Sequence, residues 1–324
     1  MPPLRRRDRA QYIELVAKPQ CFKPVNWRRN MFREVRVAAI SFKPVKLDLQ
    51  GNAVRLEEMF REAAAGGAEL AVAPEGVLEG YVVNEIFDGE ISPDEMNRVS
   101  LTMRSPVIGR FRELARSLNM CLAFGLAERI GGEVYNCAAF LDQRGRLRGK
   151  YHKMQLAEGH HRSWWFNRLG KRSRAFDTPF GRAGMVICND RWNPDIARIP
   201  VLDGARYLLI PSFGSTARAQ DRAVLARARE NGVPIVEANV GVTLIASKGE
   251  IVALSRKKTA ITHGTIAIPA PPSHRNRDRH ERGFLAWRRR EMPLRYRDRM
   301  GRRRQGRDTV EVGHDAKGRL IEKE

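Results

Sequence analysis

Short apolar runs of strand length alternate along this chain with amphipathic helical stretches, and that alternation constrains the fold most. Val35-Arg36-Val37-Ala38-Ala39-Ile40 reads as a strand. Leu56, Met59, Phe60 and Ala63 follow at helical spacing and end at Gly66-Gly67, and Leu70-Ala71-Val72-Ala73 is a second strand. Apolar residues at i, i+3, i+4 and i+7 mark one helix face, and a glycine just beyond it suits a left-handed stop. Strand, helix, strand in that order predicts a parallel βαβ unit, because parallel neighbours need a crossover that a helix supplies.

The rhythm continues. Residues 106–118 read as an amphipathic helix leading into a strand at 121–125. Residues 134–141 turn at 142–145 and return toward Tyr151 as a hairpin. A strand is expected over 183–188, a helix over 195–204, a strand over 206–211, a helix over 219–231 and a strand over 234–239. Residues 242–268 alternate in short strands about a turn at Lys248-Gly249. The class is therefore α/β, a mixed sheet system with helices on its outer faces. The 324 residues are enough for one large domain with extensions. The pattern places that domain at 34–270, between a basic extension at 1–33 anchored by Phe22 and Trp27, and an Arg-rich tail at 271–324. Phe284, Leu285, Trp287, Leu294 and Tyr296 interrupt the tail and predict that part of it docks on a surface.

The net charge of +22 is unevenly spread: residues 1–33 contribute +7 and residues 271–324 contribute +8. Arg-rich ends with interleaved Trp287 and Tyr296 are compatible with phosphate binding, but acidic residues are interspersed and no recognition motif is present. A solvated or subunit-wrapping tail is the favoured reading over nucleic-acid binding. Cys21, Cys121, Cys137 and Cys188 form no CxxC pair and no His/Cys ligand spacing, so no metal site is expected. A reducing, cytoplasmic setting follows from that usage. The basic N-terminus is not followed by an apolar stretch, and no run approaches the ~20 apolar residues that span a bilayer, so neither a signal peptide nor a membrane segment is expected.

Three segments carry chemistry. The apolar run Ala183-Gly184-Met185-Val186-Ile187 leads straight into Cys188, and Asn193-Pro194-Asp195 then suits the N-cap and first turn of a helix. Cys188 is thus predicted on a tight strand-to-helix connection. There, backbone N–H groups and a helix start would lower the thiol pKa and offer donors to an oxyanion. Alone, the segment reads equally as a buried cysteine ending a strand. Pro74-Glu75-Gly76 puts an acid at a strand's carboxyl end, where it can reach a site, although an ordinary exposed loop Glu fits the same residues. Lys153 follows the hairpin's return strand and is unremarkable by itself.

In order, strand-end Glu75, post-hairpin Lys153 and strand-to-helix Cys188 resemble the nitrilase or carbon–nitrogen hydrolase superfamily. The resemblance extends over about residues 35–268 and includes Asp177-Thr178-Pro179-Phe180-Gly181 and Arg229-Glu230-Asn231-Gly232-Val233. It implies an αββα sandwich, no cofactor, and a homodimer or larger homo-oligomer. It also implies hydrolysis of a non-peptide C–N bond in a small linear amide or N-carbamoyl compound through a Cys188 thioester. Glu75 is then the base, and Lys153 and the Asn189 N–H are the oxyanion donors. Nitrile hydrolysis and acyl transfer stay open.

A second Glu is common after the lysine in that family. Glu158 lies five residues on and matches a different acidic position, so the site either lacks that acid or rebuilds it from Glu158. Cys188-Asn189-Asp190-Arg191 resembles the N-carbamoyl amino acid amidohydrolase branch, where an Arg holds a substrate carboxylate, but Gln155 stands where that branch has a histidine. A helix-start salt bridge is the competing reading of Arg191. The missing second Glu also leaves an impaired hydrolase fold, serving as a basic nucleic-acid-binding or scaffold protein, as the alternative function.

Overall fold

The computed structural model describes residues 32–270, 278–304, 312–314 and 320–322. Cys21 and the anchors Phe22 and Trp27 of the expected N-terminal extension lie outside the described residues. One six-stranded sheet contains β1 (Phe32–Ser41), β2 (Leu70–Val72), β3 (Cys121–Ile130), β4 (Glu133–Leu141) and β5 (Leu147–His152). The second six-stranded sheet contains β6 (Phe176–Thr178), β7 (Gly181–Met185), β8 (Tyr207–Ser212), β9 (Ile235–Asn239), β10 (Val242–Ser247) and β11 (Glu250–Ser255). β12 (Ala260–Pro269) returns to the first sheet and pairs antiparallel with β1. In each sheet three neighbouring strands are parallel, β1-β2-β3 and β7-β8-β9.

Helices cover the outer faces, as the alternation predicted. α1 (Leu49–Ala65) starts where the Asp48 side chain accepts from Gly51 N–H, and it buries Leu56, Met59, Phe60 and Ala63. α2 (Val83–Asp88) and α3 (Pro93–Val99) occupy a stretch with no clear sequence period. α4 (Pro106–Leu118), α5 (Pro194–Leu202) and α6 (Arg218–Asn231) fall where helices were expected.

The layers follow from the two-residue strand period. Along β1, Val35, Val37 and Ala39 point into the core between the sheets, with Val72, Met185 and Leu209. Ala38 and Ile40 point the other way, into the core under α1 and α4 with Leu56, Phe60 and Phe111. Ile196, Ile199 and Val224 close the far side. The result is an αββα sandwich.

A last helix, α7 (Asp278–Arg304), is longer than the docking expected of the tail. Its Phe284 and Met292 are buried, 1% and 2% exposed. Glu281 accepts from Ser173 N–H and from Arg174 Nη1. Tyr296 stacks on His161 with centroids 5.0 Å apart. Arg288 and Arg295 set their guanidiniums over Phe284 and Trp287 of the same helix, and Arg299 sets its own over Phe87 of the body. No described helix is long and apolar enough to cross a membrane.

Candidate active site

Glu75, Lys153 and Cys188 each stand just past the carboxyl end of a strand (β2, β5 and β7), and the docking of the two sheets brings those ends together. Open α/β sheets gather their sites at that edge.

Glu75 is fully buried at 0% exposed. Its Oε1 accepts from Lys153 Nζ at 2.6 Å and from Asn136 Nδ2 at 2.6 Å, and its Oε2 accepts from Phe213 N–H at 3.0 Å. A carboxylate with those donors, one of them charged, keeps one orientation. Gly125 makes room for it: a Cβ there would lie 2.5 Å from Glu75 Cα.

Lys153 is likewise 0% exposed. Burial pushes its ammonium pKa down, but the nearby charge of Glu75, then Tyr81, Cys188 and Glu158, outweighs that and holds it well above the usual value. Tyr81 supports it from below, with Nζ 6.0 Å from the ring centroid, and Tyr81 stacks on Phe213 at 4.6 Å.

Cys188 is 8% exposed and opens a short 3-10 turn, Cys188–Trp192, rather than an α-helix. Its φ is +45°, a left-handed conformation unusual for a residue with a Cβ, and one that turns the side chain out of the strand direction. Sγ donates to the Phe213 carbonyl at 3.5 Å and accepts from Arg191 Nη2 at 3.4 Å. The Phe213 backbone therefore joins two site groups, its N–H to Glu75 and its C=O to Cys188.

The thiol departs from expectation. Burial pushes its pKa up, the Glu75 charge adds to this, and Lys153, Arg191 and the Phe213 bond offset only part. The five-residue 3-10 turn gives too little aligned dipole to reverse the effect of burial.

Asp190, which the sequence did not single out, completes the frame with Arg191 and Asn189, which it did. Asp190, 0% exposed, accepts from Ile187 N–H, Gln155 N–H and Tyr151 OH, each at 2.8 Å. It ties the Lys153 loop to the Cys188 turn, and burial lifts its pKa to about 6. Arg191, 1% exposed, turns inward: it pairs with Glu237 and donates to Ser212 Oγ at 3.1 Å. Asn189 is 7% exposed, and its Nδ2 has no hydrogen-bond partner among the described residues.

Glu158 is 4% exposed and accepts from Asn167 Nδ2. Burial raises its pKa, and the Lys153 charge opposes that. A second buried acid thus lies within electrostatic reach of Lys153, on the segment that carries Gly159, against which Met292 and Tyr296 of α7 pack.

The four layers are those of the nitrilase-type sandwich, and the buried acid, ammonium and thiol sit where its sheets meet. The chain belongs to the carbon-nitrogen hydrolase family, whose model matches residues 36–269, and is a hydrolase of carbon–nitrogen bonds. It is 30% identical over 218 residues to the N-carbamoylputrescine amidase of Arabidopsis thaliana, covering 64% of this chain and 71% of that protein. It is 28% identical over 223 residues to the citrullinase of Francisella tularensis, covering 64% of this chain and 73% of that one. An amidase from Nesterenkonia sp. superposes with a TM-score of 0.62 at 21% identity, over 78% of this chain and 96% of that chain. α7 lies beyond the residues that the family model matches.

Proposed function

We propose that the chain hydrolyses the terminal C–N bond of a small linear amide or N-carbamoyl compound, with Cys188 as nucleophile, Glu75 as base and Lys153 as oxyanion donor. The observation that carries this reading is the Phe213 backbone, whose N–H holds the Glu75 carboxylate and whose C=O holds the Cys188 thiol, while Lys153 also donates to the carboxylate. A thiol whose pKa is pushed up rests protonated, so it needs a base at the moment of attack. Glu75 takes that proton as sulfur bonds to the carbonyl carbon. Lys153 Nζ and the Asn189 N–H receive the negative oxygen, and one such donor is worth ~3 kcal/mol of barrier. Glu75 passes the proton to the leaving nitrogen, the C–N bond breaks, and ammonia or an amine departs. Glu75 then activates water, which hydrolyses the thioester and returns the thiol.

Glu158, a buried acid within electrostatic reach of Lys153, supports the hydrolase reading over the impaired-fold one. The N-carbamoyl preference is supported by the names of the two relatives. The test is ammonia release over a panel of linear amides, ureido compounds and nitriles. Cys188→Ala is expected to lose at least ~10³-fold in turnover on every active compound; undiminished release overturns the assignment. A nitrile turned over faster than its amide overturns the substrate class.

A further inference from the structure

Asn136 and Lys153, which hold Glu75, each have a chain neighbour that points the other way. Alternation puts Cys137 and His152 on the opposite face of the sheet, where β4 and β5 pair them directly. Glu128 of β3 lies beside them. A carboxylate oxygen of Glu128, Cys137 Sγ and a ring nitrogen of His152 lie within 4.8 Å of one another. Cys137 is 0% and Glu128 3% exposed. The His152 side chain is 10% exposed, and Tyr135 stacks on its ring at 4.4 Å, fixing the plane. The proposed reaction uses none of the three.

We propose that Glu128, Cys137 and His152 bind one divalent ion of the zinc class, back to back with the reacting groups. One sulfur, one imidazole nitrogen and one carboxylate oxygen form a donor set that selects zinc-like ions over magnesium and calcium, which take oxygen alone. Bonds of about 2.0–2.3 Å need ligand atoms more than 3 Å apart, so the His152–Glu128 contact, 2.5 Å as it stands, opens by about 1 Å. Cys137 gives up its thiol proton to solvent as sulfur becomes the ligand. Lys150, which donates to Glu128 at 2.6 Å and is 25% exposed, turns into water and leaves a position for a water ligand.

The site is coupled to the reaction through the backbone. Lys153 N–H donates to the Asn136 carbonyl at 2.9 Å, so the two residues beside the ligands move together. Drawing β4 and β5 onto the ion shifts the two side chains that orient Glu75, and zinc lowers turnover. This inhibition rests on the proposed function; the binding does not.

The experiment uses full-length Cys188→Ala, so that the candidate nucleophile cannot bind the metal, titrated with zinc chloride against a chromophoric zinc indicator. One tight equivalent is expected, with none for magnesium or calcium. Adding Cys137→Ala or His152→Gln is expected to weaken that equivalent at least ~100-fold. Retention of the equivalent in either double variant, or its absence from Cys188→Ala itself, overturns the site. If Cys137→Ala does not fold, the less buried His152→Gln decides alone. With Cys188 present, micromolar zinc is expected to inhibit, and Cys137→Ala is expected to keep basal turnover and escape inhibition. Inhibition that persists in Cys137→Ala overturns the coupling.

Discussion

Two buried ion pairs lie within a few residues of the Cys188 thiol, and they differ in what surrounds them. Glu75–Lys153 and Glu237–Arg191 are both almost wholly enclosed, with every partner at 1% exposure or less. In the first, the carboxylate also accepts from Asn136 and Phe213, and its cation lies beside Tyr81 and within electrostatic reach of Cys188 and Glu158. In the second, the guanidinium pairs with Glu237 and donates to Ser212 and the Cys188 sulfur. Burial and opposite charge therefore do not tell the two pairs apart. In the proposed reaction the first cation receives the negative oxygen, and the second does not.

Removing the cation from each pair tests that distinction. Lys153→Met is expected to cost ~10³-fold in turnover and ~3–5 kcal/mol in stability, because it removes the proposed oxyanion donor and leaves Glu75 buried without its counter-charge. Steady-state kinetics and denaturant unfolding read the two losses separately. Arg191→Met is expected to cost a similar ~3–5 kcal/mol by stranding Glu237, but no more than ~10-fold in turnover. Equal turnover losses in the two variants would erase the difference between the pairs.

A smaller effect concerns Glu79, 5% exposed, whose carboxylate accepts from Ala127 N–H. Burial lifts its pKa from 4.5 to about 7, with the Glu75 charge contributing. The folded state holds this proton more tightly than the unfolded chain does. The stabilisation is thus complete below pH 4.5 and is lost as pH rises to about 7. The loss amounts to at most ~3 kcal/mol. Glu79→Gln keeps an acceptor for Ala127 and is expected to flatten that slope in unfolding curves taken from pH 4.5 to 8; an unchanged slope assigns it to other groups.

The strands, the crossovers and the three residues at strand ends were legible because period and punctuation are local signals. Cys188 was visible from the apolar run before it and the Asn193-Pro194 start after it, and Asn193 does accept from Asp195 N–H. Its pKa direction was not visible, since that depends on how deeply the second sheet encloses it. Asn136 and Phe213 reach Glu75 across 61 and 138 residues of chain, so no spacing announces them. The grouping of Glu128, Cys137 and His152 across three strands is equally silent in the sequence, which is why cysteine spacing gave no hint of it. α7 was hidden by its arginines, three of which set their guanidiniums over aromatic rings.

The Phe213 backbone has a consequence for how this site can vary. Its part is played by a backbone N–H and C=O, so nearly every side chain supplies them, and sequence drift at 213 leaves both bonds available. Proline alone among the coded residues lacks the N–H. Placement matters as much: Phe213 directly follows β8, and a one-residue slip of β8 against β9 would bring a neighbouring residue there, whose backbone groups point to the other side of the strand. Strand register in the second sheet is thus inherited as strictly as any side chain of the site, although no single letter of the sequence records it.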